Sequence, residues 1–199
     1  VPKPDGVLTP EKILLAAEDV IARHGPSKAT VVDVAQALGV SHGSIYRFFP
    51  SKVALREAVV AHWLGRVTAS QGAFSPKGRA DERLGAWFWE LHRTRQAQRA
   101  QSPELFEAFR SLGAEAPGVI RDYKEQLTTQ ARQIINQGIE AGELRPTDAD
   151  RLARMLMVAT VRFHNPAFAR EWGPETTLAD FSFLWAVLAT GISSSRSTP

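Results

Sequence analysis

The sequence contains no cysteine among its 199 residues. That absence excludes a disulfide framework, a thiol nucleophile and any cysteine-based metal site, and it fits a reducing, cytoplasmic setting. The longest apolar stretch, around Phe181–Ile192, falls short of the ~20 residues a membrane span needs, so no membrane partner is expected. The opening residues, VPKPDGVLTPEK, have no apolar core and do not read as a signal peptide. H-E-x-x-H, G-x-S-x-G, P-loop and dinucleotide fingerprints are all missing, and the five histidines are scattered. No catalytic residue, metal or cofactor is therefore expected, and the chain is not read as an enzyme. Acid is missing locally too. Between Asp33 and Glu57 there is none, while Arg47, Lys52 and Arg56 fall in that window. A net charge of only +3 says little about partners; a local basic footprint is enough for an element that enters a nucleic-acid groove.

Strand-like alternation persists nowhere, and a helical period runs through nearly the whole chain. In TPEKILLAAEDVIARHG, Thr9 is the expected N-cap and Pro10 the first helical residue. Ile13, Ala16, Ala17, Val20 and Ile21 form one apolar stripe that Gly25 ends. Thr30 and Asp33 have the spacing of a capping box for a second helix, whose buried face is Val31, Val34, Ala35 and Leu38. Gly39 supplies a left-handed turn, and Ser41 caps a third helix of about two turns. Phe49 is pushed out of helical geometry by Pro50. Ser51 caps a fourth helix expected to reach Thr68, and ASQGAFSPKGRA reads as a loop. Five further helices are expected near 79–100, 103–113, 117–141, 148–165 and 175–193, with a frayed SSSRSTP tail. The fold class is all-α, with about nine helices. Its expected parts are a helix-turn-helix domain over 1–51, a connecting fourth helix over 52–68, and a larger domain over 69–199.

Helices two and three, joined by ALGVS, form a helix-turn-helix that turns the second helix outward, where it can enter a DNA major groove. Ile45 and Phe48 are expected to face inward, leaving His42, Gly43, Ser44, Tyr46 and Arg47 exposed. Small or polar residues at the helix start suit the reading of base edges. Lys52 opens helix four, where the helix dipole disfavours a cation. A phosphate held by the lysine and the first amides together removes that conflict, and Thr30 has the same opportunity at helix two.

The run TVVDVAQALGVSHGSIYRFFPSKVAL resembles the DNA-binding domain of the tetracycline-repressor (TetR) family of transcriptional regulators. The matching places are Thr30, Ala35, Gly39, Val40, Ser41, Gly43, Ser44, Ile45, Tyr46, Phe49 and Lys52. The resemblance implies that Tyr46, Lys52 and Thr30 hold phosphates. It implies that His42, Gly43 and Ser44, at the start of the helix that Ser41 caps, read bases, with Arg47 beside them. His42 departs from the residues common at its place, so no operator sequence transfers.

The later helices carry two patterns. Leu178, Phe181, Trp185, Leu188 and Ile192 are spaced as a packing seam, and Leu152, Met155, Leu156, Ala159 and Phe163 give a matching face. Spacing alone leaves open whether the seam closes within the chain or against a second copy. The resemblance implies a homodimer through these helices. Helix five is apolar on more than one face, as expected of a helix buried on all sides or lining a cavity. Trp87, Trp89, His92, Phe106, Phe109, Tyr123, Leu127 and Met155 are the candidate lining of an aromatic-rich effector site, with His92 equally readable as a core histidine. The whole reads as a repressor that binds a palindromic operator in double-stranded DNA and leaves it when a small apolar or aromatic effector binds. An architectural or constitutive DNA-binding protein without an effector is the alternative, and a small-molecule enzyme is the remote one.

Overall fold

Caps and prolines set the helix boundaries. In the computed structural model, which describes residues 7–194, α1 spans Pro10–His24, α2 Val31–Ala37, α3 His42–Tyr46, α4 Lys52–Ala73 and α5 Ala80–Gln101. Next come α6 Pro103–Glu115, α7 Pro117–Glu140, α8 Ala149–Ala159, α9 Val161–His164, a 3-10 turn at Pro166–Glu171, and α10 Pro174–Ile192. Among the described residues the one extended pairing noted is an isolated bridge from Leu144 to Ser193, and no helix is long and apolar enough to cross a membrane. Residues 1–6, and 195–199 of the tail expected to fray, lie outside the described residues. The first two serines of that tail are tied down: the Ser193 amide donates to the Ala189 carbonyl and the Ser194 amide to that of Glu143.

Two boundaries differ from those expected. Helix α4 continues five residues past Thr68, so half of the loop read from ASQGAFSPKGRA is helical. The expected helix over 148–165 breaks at Thr160, whose buried hydroxyl donates to the Leu156 carbonyl at 2.8 Å. Such back-bonding offers the carbonyl an alternative to the helical ladder. Asn165, held extended before Pro166, then ends α9.

Contacts divide the chain into two units, neither continuous in sequence: Val1–Arg66 with Ala97–Tyr123, and Val67–Gln96 with Lys124–Pro199. The division differs from the single boundary near residue 68 because α6 packs against α1. In the first unit Phe109 stacks on Trp63 at 4.4 Å and Phe106 meets the same ring edge-on at 6.2 Å.

The second unit is organised around the rings of α5. Trp87 and Phe88 are buried, and Phe88 lies 5.6 Å from Trp185 and 6.5 Å from the His164 ring. Trp89 stacks on His92 at 4.6 Å and meets Phe181 at 5.2 Å. Gly85 is what lets α10 approach: a Cβ there would collide with the Trp185 indole, whose N–H donates to the Asp81 carbonyl at 3.1 Å.

Burial, reinforced by the Arg95 charge and by His92, pushes the His164 imidazole down from its ordinary 6.5 to about 4; a hydrogen bond to the Met157 backbone opposes this. Burial likewise lowers His92, against its hydrogen bond to Phe163. As pH falls from 6.5, the unfolded chain therefore takes up a proton on His164 before the folded one does. The stability present above about pH 6.5 should drain away towards pH 4, by on the order of 3 kcal/mol. Urea denaturation across that window checks this, and His164→Leu should flatten the slope.

Candidate nucleic-acid interface

The first unit holds a five-residue helix outward on a capped platform. The Thr30 hydroxyl accepts from the Asp33 amide at 3.2 Å, and the Asp33 carboxylate accepts from the Thr30 amide at 2.9 Å and its hydroxyl at 2.7 Å. These bonds hold the Asp33 carboxyl below the usual range. After α2 the chain turns at Gly39, in the left-handed region with φ of 65°, where a side chain would be strained. The Ser41 hydroxyl then accepts from the Ser44 amide at 3.2 Å and caps α3.

Ile45 is the residue of α3 that is fully buried. Ser41, His42, Gly43, Tyr46 and Arg47 are exposed, and Ser44 is half-buried with its hydroxyl 2.9 Å from that of Ser41. The rings of His42 and Tyr46 meet edge-on at 6.3 Å. Phe48 departs from the expectation that it faces inward: it is 40% exposed. The helix ends at Tyr46, and a turn at 47–48 carries Phe48 off the face that Ile45 defines.

Lys52 is exposed at the first position of α4, whose start Ser51 caps by accepting from the Ala54 amide at 3.0 Å. Thr30 and Lys52 line one shallow cleft. They are not equivalent as anion ligands, because both Thr30 donors already serve Asp33. Of the three cations in the acid-free window, Arg56 pairs with Glu115 at 2.9 Å, while Arg47 and Lys52 stay exposed.

A clamp that the sequence reading missed fixes α1 to α4. The buried carboxylate of Glu18 accepts from Arg66 with both oxygens, at 3.0 and 2.9 Å, and lies 2.9 Å from His62 Nδ1. The available signal was an acid beside the apolar stripe of α1, with two basic residues one helical turn apart on α4.

In the second unit the candidate effector residues do not converge. Trp87, His92 and Leu127 are buried, Trp89 is half-buried, and Met155 is 52% exposed. Phe106, Phe109 and the half-buried Tyr123 belong to the first unit. The expected dimer seam divides as well. Leu156 and Phe181 are buried by their own chain, Leu152, Trp185 and Leu188 are half-buried, and Ala159 is exposed. Within the chain, Phe181 contacts Trp89 and Phe163. The open face of α10 lies one register over, with Phe183 75% and Val187 58% exposed. On α8, Val158 is 63% exposed, beside Met155 and Ala159. No cluster of histidine and carboxylates among the described residues suits a metal ion.

A capped helix-turn-helix with a second, wholly helical unit defines the class of DNA-binding transcriptional regulators. Residues 13–59 match the family described as "Bacterial regulatory proteins, tetR family", and residues 80–185 match "Tetracyclin repressor-like, C-terminal domain". The chain belongs to the tetracycline-repressor family. It is 26% identical over 175 residues to the HTH-type transcriptional regulator RutR of Escherichia coli O157:H7, covering 86% of this chain and 81% of that one. Its fold is shared with a TetR-family protein from Rhodococcus sp., at a TM-score of 0.68 and 22% identity, over 90% of this chain and 98% of the other. It is shared too with FadR of Bacillus subtilis in complex with stearoyl-CoA, at a TM-score of 0.62 and 19% identity, over 92% and 100%.

The clamp generates a test. Arg66→Met should leave the buried Glu18 carboxylate with only His62, at a cost of about 2–4 kcal/mol. Adding Glu18→Gln should return part of that loss, giving a non-additive double-mutant cycle in urea denaturation. Strictly additive costs would show that the pair does not couple.

Proposed function

We propose that the protein is a cytoplasmic, effector-responsive repressor that binds a palindromic operator as a homodimer and performs no catalysis. The observation that carries this reading is the arrangement around Ile45. One buried side chain pins α3, and every polar or basic residue named as a DNA contact on that helix, save half-buried Ser44, stands exposed. His42, Gly43 and Ser44 are the base readers in this reading. Arg47 stands beside these readers, Tyr46 and Lys52 hold phosphates, and Thr30 contributes through its place at the start of α2.

Two-fold symmetry is part of the proposal because a single helix-turn-helix reads few bases, and paired half-sites supply the rest. The exposed apolar stripe of α8 and α10, with Phe183, Val187 and Val158, supports a second copy as its cover. The larger domain, taken as 69–199, is the effector domain, as the acyl-CoA-bound FadR of the same fold suggests. The aromatic interior around Trp87, Trp89 and His92 favours an apolar or aromatic compound. Such a compound shifts the balance between DNA-competent and released states by its differential affinity for them.

Phosphate contacts position and base contacts specify. Lys52→Ala should thus weaken operator and random duplex alike and lower the salt slope by roughly 1 per half-site. Changes at His42 should cost operator binding selectively, by about 1–3 kcal/mol. Titrations of both duplexes at several salt concentrations separate the two roles, and a reversed pattern would exchange reader and anchor. For assembly, Phe183→Glu should give monomers in sedimentation and weaken operator binding. A dimer that survives this change has its interface elsewhere.

A further inference from the structure

His164 carries an unanswered hydrogen-bonding demand. Its ring is buried, one nitrogen bonds the Met157 backbone, and Nε2 is buried without a partner. A carbonyl only accepts, so the nitrogen facing Met157 holds the ring's single proton at neutral pH, and Nε2 presents a bare lone pair. A buried acceptor left in this state costs roughly 1–3 kcal/mol. The buried Arg95 guanidinium is close enough to act on the same ring. Among the described residues of this unit, no buried side chain is a carboxylate.

The surroundings are aromatic. Phe88 lies against the His164 ring. His92 donates from Nδ1 to the Phe163 carbonyl at 2.6 Å, and its ring meets Trp172 edge-on at 5.2 Å. A cleft of about 190 Å³ is lined by Phe163 and Trp172, the two residues that His92 touches.

We propose that this interior site takes the hydroxyl of a hydroxylated aromatic compound, its O–H donating to His164 Nε2 and its oxygen accepting from the Arg95 guanidinium. The inference rests on reading the second unit as an effector domain and adds the chemistry of the effector's polar end. A hydroxyl gives one hydrogen bond and takes another without bringing a net charge. A carboxylate has no proton to donate and would have to carry one in. A methyl group leaves the lone pair unmet. The ring of such a compound packs against aromatic neighbours of the kind that Phe88 already gives the His164 ring. Entry is from the cleft, past Trp172.

Calorimetry on the full chain with phenol, toluene and benzoate as probes tests the site, alongside binding of a duplex selected from a random library. Phenol should bind at least tenfold more tightly than toluene, as expected where a site is built to hydrogen-bond a hydroxyl. His164→Leu should bring that ratio close to one. Should that variant fail to fold, the wild-type ratio and the response of the His164 ring nitrogens to phenol in NMR carry the test. Equal affinity for phenol and toluene, no phenol binding, or tighter binding of benzoate with proton uptake would each overturn the proposal. A protein that binds duplex but not phenol loses this site and keeps the regulator reading. One that binds phenol through His164 and no duplex keeps the site and loses that reading.

Discussion

A helix of five residues has no stability of its own, since nucleation alone outweighs the few hydrogen bonds it closes. Whatever α3 presents to DNA therefore depends on the burial of Ile45 in the first unit. The Ser41 cap and the left-handed turn at Gly39 set where α3 starts, but Ile45 is what holds it against the platform. That platform is fixed in turn by the ion pair of Glu18 with Arg66, which ties α1 to α4. The exposed polar residues of α3 can be spent on recognition because one apolar side chain and one carboxylate carry the placement.

The second unit follows a different economy. Its interior is assembled from aromatic rings on α5, α9 and α10, and close approach depends on Gly85, where α10 sets its Trp185. Rings pack densely but leave few hydrogen-bonding groups, so the buried Gln71, His92, Arg95 and His164 stand out. Gln71 donates to the Trp87 carbonyl at 2.9 Å and His92 to that of Phe163, so each is accounted for by the backbone on at least one side. His164 Nε2 is not. In a unit read as an effector domain, an unmet acceptor beside a buried cation has chemical meaning.

The helix starts were legible because their causes are local. Thr9, Thr30, Ser41 and Ser51 each act on an amide three residues away. The left-handed Gly25 and Gly39 were legible for the same reason. Phe48 faces inward only if α3 runs for two turns, and α3 ends at Tyr46. The break at Thr160 rests on one side-chain hydrogen bond and leaves no pattern in the sequence. Phe106 and Phe109 looked like pocket residues because aromatic character is visible in sequence, whereas their partner, Trp63, is distant along the chain. The seam on α10 shows the same limit: spacing reports that a face is packed, not which chain packs it.

The proposed repressor needs two copies of the unit built around α3 to read DNA as a symmetric pair. Selection of bound duplexes from a random-sequence library measures this directly. Enrichment of an inverted repeat with half-sites on one face of the duplex is expected, as two-fold symmetry requires. Enrichment of nothing over the starting pool, or of a single unrepeated half-site, would contradict it.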